Sequence, residues 1–426
     1  MAALDQKRFR LTLLTPVHVG SGDTLNRGLE ILEDRNRNRP TQTFVLDIER
    51  LLSRVTDAQA DEITRRLGAQ DGTLVDYLRS LANVKLEQVS FYTLQRGFPA
   101  RDLRLHIRRG DGNPIIPGSS LKGALRTLVL TGMTLDLSGK LNQVGNRALE
   151  AVRKTFREPK LNPGRVAQPL ETLVFRSPGD MGRPKILEQA NGDLLRCVHT
   201  RDITFSSKDL GITFLKVHSP SRNDPLNFKP FILAVETLKT GTTAETELTI
   251  DSQLLKGEWA EKLNFANRAF TWESLSQWSH NHALRVLKKE KDRAEQAGLP
   301  GLPEELGRLQ SRLQISQRQG SIAFRLGGGI GWEGTTGGVA DGTYRNELIK
   351  TFRGTMTRYP PNVYDEKMPF PKSRKLVEVR GSSEAKETGR SSGFNTMARN
   401  LPTARDGVPV SQAGYGVMGW ILLEPL

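Results

Sequence analysis

The sequence predicts a mixed α+β protein of more than one domain. Three observations carry that prediction. The chain has 426 residues, long enough for two or three domains at roughly 100–200 residues each. Segments that alternate apolar and polar residues are interspersed with segments whose apolar residues recur at helical spacing. Strands, helices and a glycine-rich loop occur in each half, as a coarse echo with no short-period repeat.

Arg8 to Val19 alternates as a first strand, with Phe9, Leu11 and Leu13 on one face and Arg8, Arg10 and Thr12 on the other. Leu29 to Leu46 reads as a hairpin with a basic tip, ending in the strand Thr43 to Asp47. Two helices follow. Ala60, Ile63 and Leu67 line the first, with Thr56 or Asp57 as its cap, and Leu74, Leu78 and Leu81 line the second. Val89 to Arg109 has strand character and gathers Arg101, Arg104, Arg108 and Arg109 near its end.

Beyond it, residues 139–156 read as a helix, and residues 178–192 as a loop. Leu194 to Phe205, Ile212 to Val217, Lys229 to Glu236 and Ala244 to Ile250 return to strand patterns. Trp272 to Ala297 is the longest helix, with Leu275, Trp278, Val286 and Leu287 inward and a cluster of lysines near its far end. A shorter helix spans Pro303 to Gln317, and the strand Ser321 to Leu326 empties into Gly327-Gly328-Gly329-Ile330-Gly331. Tyr344 to Phe352 has helical spacing. Pro360 to Gly407 is rich in Pro, Gly, Ser and basic residues and is expected to be an extended loop, in part disordered until it meets a partner. Val417 to Glu424 closes the chain as a strand.

Two stretches suggest chemistry. After the first strand, Gly20-Ser21-Gly22 lets the backbone approach a ligand closely, and its amides can form an anion-binding concavity. Pro114 to Thr127 reads as a strand end, a Pro117-Gly118 turn and a helix start, with Ser119 as N-cap. Leu121, Leu125, Leu128 and Val129 form its buried stripe, and Lys122 and Arg126 lie four residues apart on one side. Gly118, Ser119, Ser120 and these cations suit a phosphate seat. They equally suit a capped core helix with solvated cations.

The chain carries 62 Lys+Arg against 47 Asp+Glu, a net charge of +15. Such an excess favours polyanions, nucleic acid before an anionic membrane. No apolar run approaches the ~20 residues of a spanning helix, and no signal core opens the chain, so the expected compartment is the cytoplasm. Cys197 is the only cysteine, which removes disulfides and cysteine-based zinc sites, and the six histidines fit no metal motif. No metal or cofactor is expected. Gly329, Gly331 and Gly334 satisfy G-x-G-x-x-G, but the loop continues into further glycines instead of a helix, against a dinucleotide site. His18 and Asp23 could act as general acid and base in RNA cleavage. Their plainer reading is packing and turn capping. Aromatic residues are only 6%, which suggests phosphate contacts along a strand rather than base-by-base reading. A protein adaptor for acidic partners is the alternative outside nucleic acid.

Thr15-Pro16-Val17-His18-Val19-Gly20-Ser21-Gly22 and Ile116-Pro117-Gly118-Ser119-Ser120-Leu121-Lys122-Gly123-Ala124-Leu125-Arg126-Thr127 closely resemble the RAMP superfamily of CRISPR-associated proteins. The late glycine loop and Gly416-Val417-Met418-Gly419-Trp420 resemble that superfamily's late signatures. The order of features is most like the fifth subunit of a type III-A (Csm) effector complex. The resemblance implies two ferredoxin-like (RRM-like) domains, 1–215 and 216–426, the second with a helical insertion and the basic loop near 360–407. It implies a non-catalytic subunit that caps the backbone filament, holds the 3′ portion of the CRISPR RNA and assists its 3′-end maturation. Its implied neighbours are the backbone RAMP subunit, the small helical subunit and target RNA. The RNA-binding residues would be His18, Gly20, Ser21, Gly22, Gly118, Ser119, Ser120, Lys122, Arg126, Gly328, Gly329 and Gly331. The backbone subunit of such complexes cuts target RNA with an aspartate in a loop after its first strand. The Asp23-Thr24-Leu25-Asn26 continuation departs from that pattern, so that activity is not carried over, and an endoribonuclease using His18 or Asp23 is the runner-up.

Overall fold

The computed structural model describes residues 4–34, 41–68, 74–95, 97–136, 168–176, 192–221, 224–263, 265, 269–331, 334–335, 373–379 and 414–426. The helices expected at 139–156 and Tyr344 to Phe352, and most of the 178–192 loop, lie outside the described residues.

In chain order the first half supplies β1 (Leu4–Leu13), β2 (Gly20–Asn26), β3 (Ile31–Asp34), β4 (Gln42–Leu46), α1 (Ile48–Leu52), α2 (Asp57–Gly68), α3 (Leu74–Ser80), β5 (Ser90–Leu94), β6 (Asp102–His106), β7 (Ile115–Ile116), α4 (Gly118–Asp136), α5 (Gln168–Phe175), β8 (Val198–Thr200) and β9 (Ile203–Thr204). There follow β10 (Leu210–His218), β11 (Phe228–Leu238), β12 (Thr243–Asp251), α6 (Ser252–Leu255), α7 (Gly257–Lys262), α8 (Trp272–Ala297), α9 (Leu302–Gln317), β13 (Ile322–Arg325), β14 (Arg374–Val379), β15 (Gly414–Gly416) and β16 (Trp420–Pro425).

The architecture is mixed α+β. A five-stranded sheet runs β13-β16-β1-β12-β8, with every neighbouring pair antiparallel. A six-stranded sheet runs β15-β14-β10-β11-β6-β2, with β11 and β6 parallel. Both sheets draw strands from both halves of the sequence, and residue 215 falls inside β10. A third sheet, β3-β4-β5, packs with α1, α2 and α3 as a lobe inserted between β2 and β6.

The alternation of β1 has its physical consequence in the core. Phe9, Leu11 and Leu13 are fully buried, in one cluster with Leu248, Phe324, Ile421, the apolar stripe of α4 and Trp278 of α8. Gly132 of α4 makes room for that indole, since a Cβ there would lie 2.0 Å from the Trp278 ring. The rest of α8 turns to a second cluster with α9, Trp420 and Leu422. The ends of α8 follow its local chemistry: Thr271 and Ser274 form a capping box, and Gly298 closes the helix at φ 65°.

Four expectations change. The first strand ends at Leu13, because residues 14–19 leave the sheet to make contacts described below. Leu194 to Cys197 is a 3₁₀ turn capped by Asp193 rather than the start of a strand. The final strand starts at Trp420, later than the expected Val417. The Pro360 to Gly407 segment is not loop throughout, since β14 pairs with β10 and β15 and buries Leu376 and Val377.

Candidate nucleic-acid interface

Segments far apart in the chain meet around His18. Its Nδ1 lies 2.7 Å from the Glu236 carbonyl oxygen. That oxygen can only accept, so Nδ1 carries the proton. The His18 carbonyl in turn accepts the Gly328 amide at 2.7 Å. Gly327 sits at φ 87°, and a Cβ there would lie 2.1 Å from the same carbonyl oxygen, so the loop can approach only because the side chain is absent. The late signature closes on the same place: the Gly419 amide donates to the Pro16 carbonyl at 2.8 Å and the Trp420 amide to Thr15 Oγ1 at 2.8 Å.

Arg325 of β13 ties the two late loops together from beneath. Its guanidinium donates to the carbonyls of Met418, at 3.1 and 3.2 Å, and Gly329, at 3.3 Å. It also pairs with Glu290 of α8 at 2.7 Å and lies over the Trp420 ring. The buried charge is thereby matched by a carboxylate and fills its donors with carbonyls.

His106, which the sequence offers only as one histidine among six, joins the two early motifs. The Val19 amide donates to its Nδ1 at 3.1 Å, so Nε2 bears the proton and donates to the Ile115 carbonyl at 2.9 Å. Beneath it the Glu236 carboxylate, 1% exposed, accepts the His106 amide at 2.9 Å, Arg108 Nη2 at 2.5 Å and the Tyr92 hydroxyl.

Burial holds His18 below the usual histidine range, with the nearby charges of Arg104 and Lys375 acting in the same sense. Burial likewise brings His106 down to about 4. A histidine whose folded pKa is depressed takes its proton first in the unfolded chain, so its stabilising effect is present above the unfolded value near 6.5 and fades as pH falls toward 4. Stability is therefore expected to drop between pH 6.5 and 4 by on the order of 3 kcal/mol from His106. Urea denaturation across that range checks this. His106→Gln, which has no titrating ring, should show a shallower decline, and an equally steep one would assign the slope elsewhere.

The expected site residues fall into two groups. Gly20, Ser21 and Gly22 are exposed on the edge strand β2, with Gly22 at φ 101° and Ser21 Oγ accepting the Asp23 amide at 3.1 Å. His18, Gly328 and Gly329 join them from the glycine cluster, and Gly331 lies beside Arg374. The second group surrounds the start of α4. Ser119 is not the cap: the helix begins at Gly118, whose amide donates to Asp202 Oδ1 at 2.7 Å, and Ser119 is exposed within the first turn. A carboxylate from a later segment thus takes the amide that a phosphate would have used. Ser120 and Lys122 are half-buried, and Lys122 has no ion-pair partner among the described residues. Arg126 turns away, its Nη1 donating to both carboxylate oxygens of Asp193 at 2.9 and 3.0 Å, near Glu171 and over the Phe175 ring.

Arg104 belongs to the run of arginines visible in the sequence, while Lys375 falls in the segment expected to be loop. Both are exposed, on strands of the six-stranded sheet, and both act on His18. Among the described residues no group of three or more His, Cys, Asp or Glu is placed to hold a metal, and no helix is long and apolar enough to cross a membrane.

Known proteins resemble this chain at three levels. A Csm5 protein of a CRISPR system in Streptococcus thermophilus is 27% identical over 144 residues, a stretch covering 30% of this chain and 39% of that relative. In fold, a chain of the cryo-EM structure of a type III-A Csm–crRNA–target RNA ternary complex superposes with a TM-score of 0.63 at 21% identity, covering 99% of this chain and 100% of that one. The crystal structure of Csm5 from T. onnurineus gives 0.53 at 19% identity, covering 97% and 99%. The family model of the RAMP superfamily matches residues 10–297, more than half of the sequence, and the chain belongs to that superfamily.

Proposed function

We propose that this chain is a crRNA-binding subunit of a type III-A CRISPR effector complex, in the position that Csm5 holds. The observation that carries the reading is the convergence of the glycine loops on His18, on the sheet that bears Arg104 and Lys375, cations with no ion-pair partner among the described residues, in a chain of net charge +15. Exposed backbone at Gly20 to Gly22 and at Gly331 and the half-buried Gly328 and Gly329 can approach phosphates, and the cations can neutralise them. The resemblances to Csm5 and to the fold of a Csm complex chain support the same assignment. In this role the subunit caps the backbone RAMP filament in the cytoplasm, holds the 3′ portion of the crRNA, lies beside the small helical subunit and target RNA, and assists 3′-end maturation without cutting. Lys122, Ser119 and Ser120 would meet RNA at the helix start, while Arg126 serves chiefly to anchor α4 to Asp193.

A ferredoxin-like unit fits this reading. The stretch β16-β1-β12-β8 is antiparallel throughout, with α4 between β1 and β8 and α8 between β12 and β16, as the order 4-1-3-2 of that fold requires. The test is the salt dependence of single-stranded RNA binding. Arg104→Ala and Lys122→Ala should each lower the slope of log K against log salt by about 0.7, the value per lost single-strand phosphate contact. Unchanged slopes in both would overturn the assignment of these cations.

One observation favours an endoribonuclease as the second reading. His18 is held neutral with Nδ1 donating, and its Nε2 faces the exposed Gly20, 3.2 Å from where a Cβ would stand. Such a ring could accept a proton. RNA cleavage by the purified chain, lost in His18→Ala or Asp23→Ala, would establish it. Intact RNA with and without divalent metal supports the scaffold.

A further inference from the structure

The face of the six-stranded sheet that bears Arg104 extends beyond the glycine loops. Register places Arg104 beside Val235, and side chains two apart share a face. Leu233, Leu215 and Val377 form the next row, since Leu215 opposes both of the others. One step further Val217 and Lys375 are directly opposed, and Phe231 follows Ile232 on β11 where the β10–β11 register shifts between Lys216 and His218. Met418 covers the near end of this face, packing with Leu215, Val235 and Val377. Among the described residues nothing covers the far end. Phe231 is 50% exposed, and Lys375 and Arg104 are exposed with no ion-pair partner among the described residues.

A single exposed apolar side chain is ordinary on a protein surface, and Phe231 is set apart by its flanks. Arg104 lies about 14 Å back along the strands and Lys375 two strands across. A protein-docking core would be depleted in lysine. An aromatic platform set between unpaired cations suits single-stranded nucleic acid, whose bases stack while the phosphates meet the charges. Resting on the RNA-binding reading above, we propose that Phe231 is a stacking seat for an unpaired base of the bound RNA, with phosphates of the same strand on Arg104 and Lys375.

The experiment measures affinity of the full chain for a short unstructured RNA at several salt concentrations. Phe231→Ala should weaken binding on the order of tenfold or more, the usual effect of removing one base-stacking aromatic, with the salt slope unchanged. Phe231→Trp should keep or exceed wild-type affinity, and Phe231→Leu, apolar but without a ring face, should behave like alanine. Lys375→Ala should instead lower the slope by about 0.7. Melting temperature checks that each variant folds, as expected for an exposed position. Wild-type binding that is untouched by Phe231→Ala, or fully restored by leucine, overturns the stacking seat alone. Absence of RNA binding by the wild-type chain overturns the broader reading.

Discussion

Gly327→Ala is expected to cost more stability than any other single methyl added to a glycine loop here, and to weaken RNA binding with it. The added Cβ would stand 2.1 Å from the His18 carbonyl oxygen, at φ 87°. Neither atom is the free end of a side chain. The carbonyl is backbone, held by the Gly328 amide at 2.7 Å, so relief requires the two loops to separate. Positive φ alone costs an alanine roughly 1–2 kcal/mol, and overpacking adds about 1–3 kcal/mol. Gly320→Ala is the internal control, because it shares a positive φ of 70° but has no neighbour within 4 Å of the new methyl. Urea unfolding should show Gly327→Ala losing at least 1 kcal/mol more than Gly320→Ala, and RNA affinity should fall only in the former. Equal losses would mean that the contact between the loops contributes nothing.

That comparison also marks what could be read in the sequence. The periodicity of β1 and α8 was plain, because a buried stripe repeats every second residue or every third to fourth, and Phe9, Leu11, Leu275 and Trp278 lie where those periods put them. The glycine loops were visible as loops, since glycine is the residue that marks a positive φ or a close approach. Their meeting was not visible. Nothing local ties Gly327 to His18 or Gly419 to Pro16, whose contact depends on how β1, β13 and β16 lie side by side. The same limit hid Asp202 as the partner of Gly118 and Asp193 as the partner of Arg126, each more than sixty residues away. His106 left no signal either, because a lone histidine in a basic strand looks the same whether it bridges two motifs or faces water. β14 was lost for a compositional reason: a six-residue strand inside a Pro, Gly, Ser and basic segment is outvoted by its surroundings.

Removing the Glu236 carboxylate should have the largest effect on stability among the polar substitutions. The group is 1% exposed and serves three donors at once, the Tyr92 hydroxyl, the His106 amide and the Arg108 guanidinium. Burial, then the neighbouring Glu236 charge, holds the Tyr92 phenol well above its usual range, so it stays a neutral donor. Glu236→Ala leaves that hydroxyl and the amide buried without an acceptor. Breaking a buried pair in this way typically costs about 3–5 kcal/mol. Arg108→Ala should cost less, because its side chain is 24% exposed and the remaining carboxylate keeps two donors. Glu236→Gln should fall between them: its amide oxygen can still serve one side, but its NH₂ then faces the His106 amide, donor against donor. Since Glu236 also holds His18 through its main-chain carbonyl, which no substitution removes, the imidazole should keep its Nδ1 hydrogen bond wherever the fold survives. The double mutant Glu236→Ala with Arg108→Ala should be less destabilised than the sum of the single variants, because each single change strands the other's partner. A strictly additive cycle, or a Glu236→Ala cost below about 1 kcal/mol, would show that this carboxylate is not what anchors β5 and β6 to β11 beneath the glycine cluster.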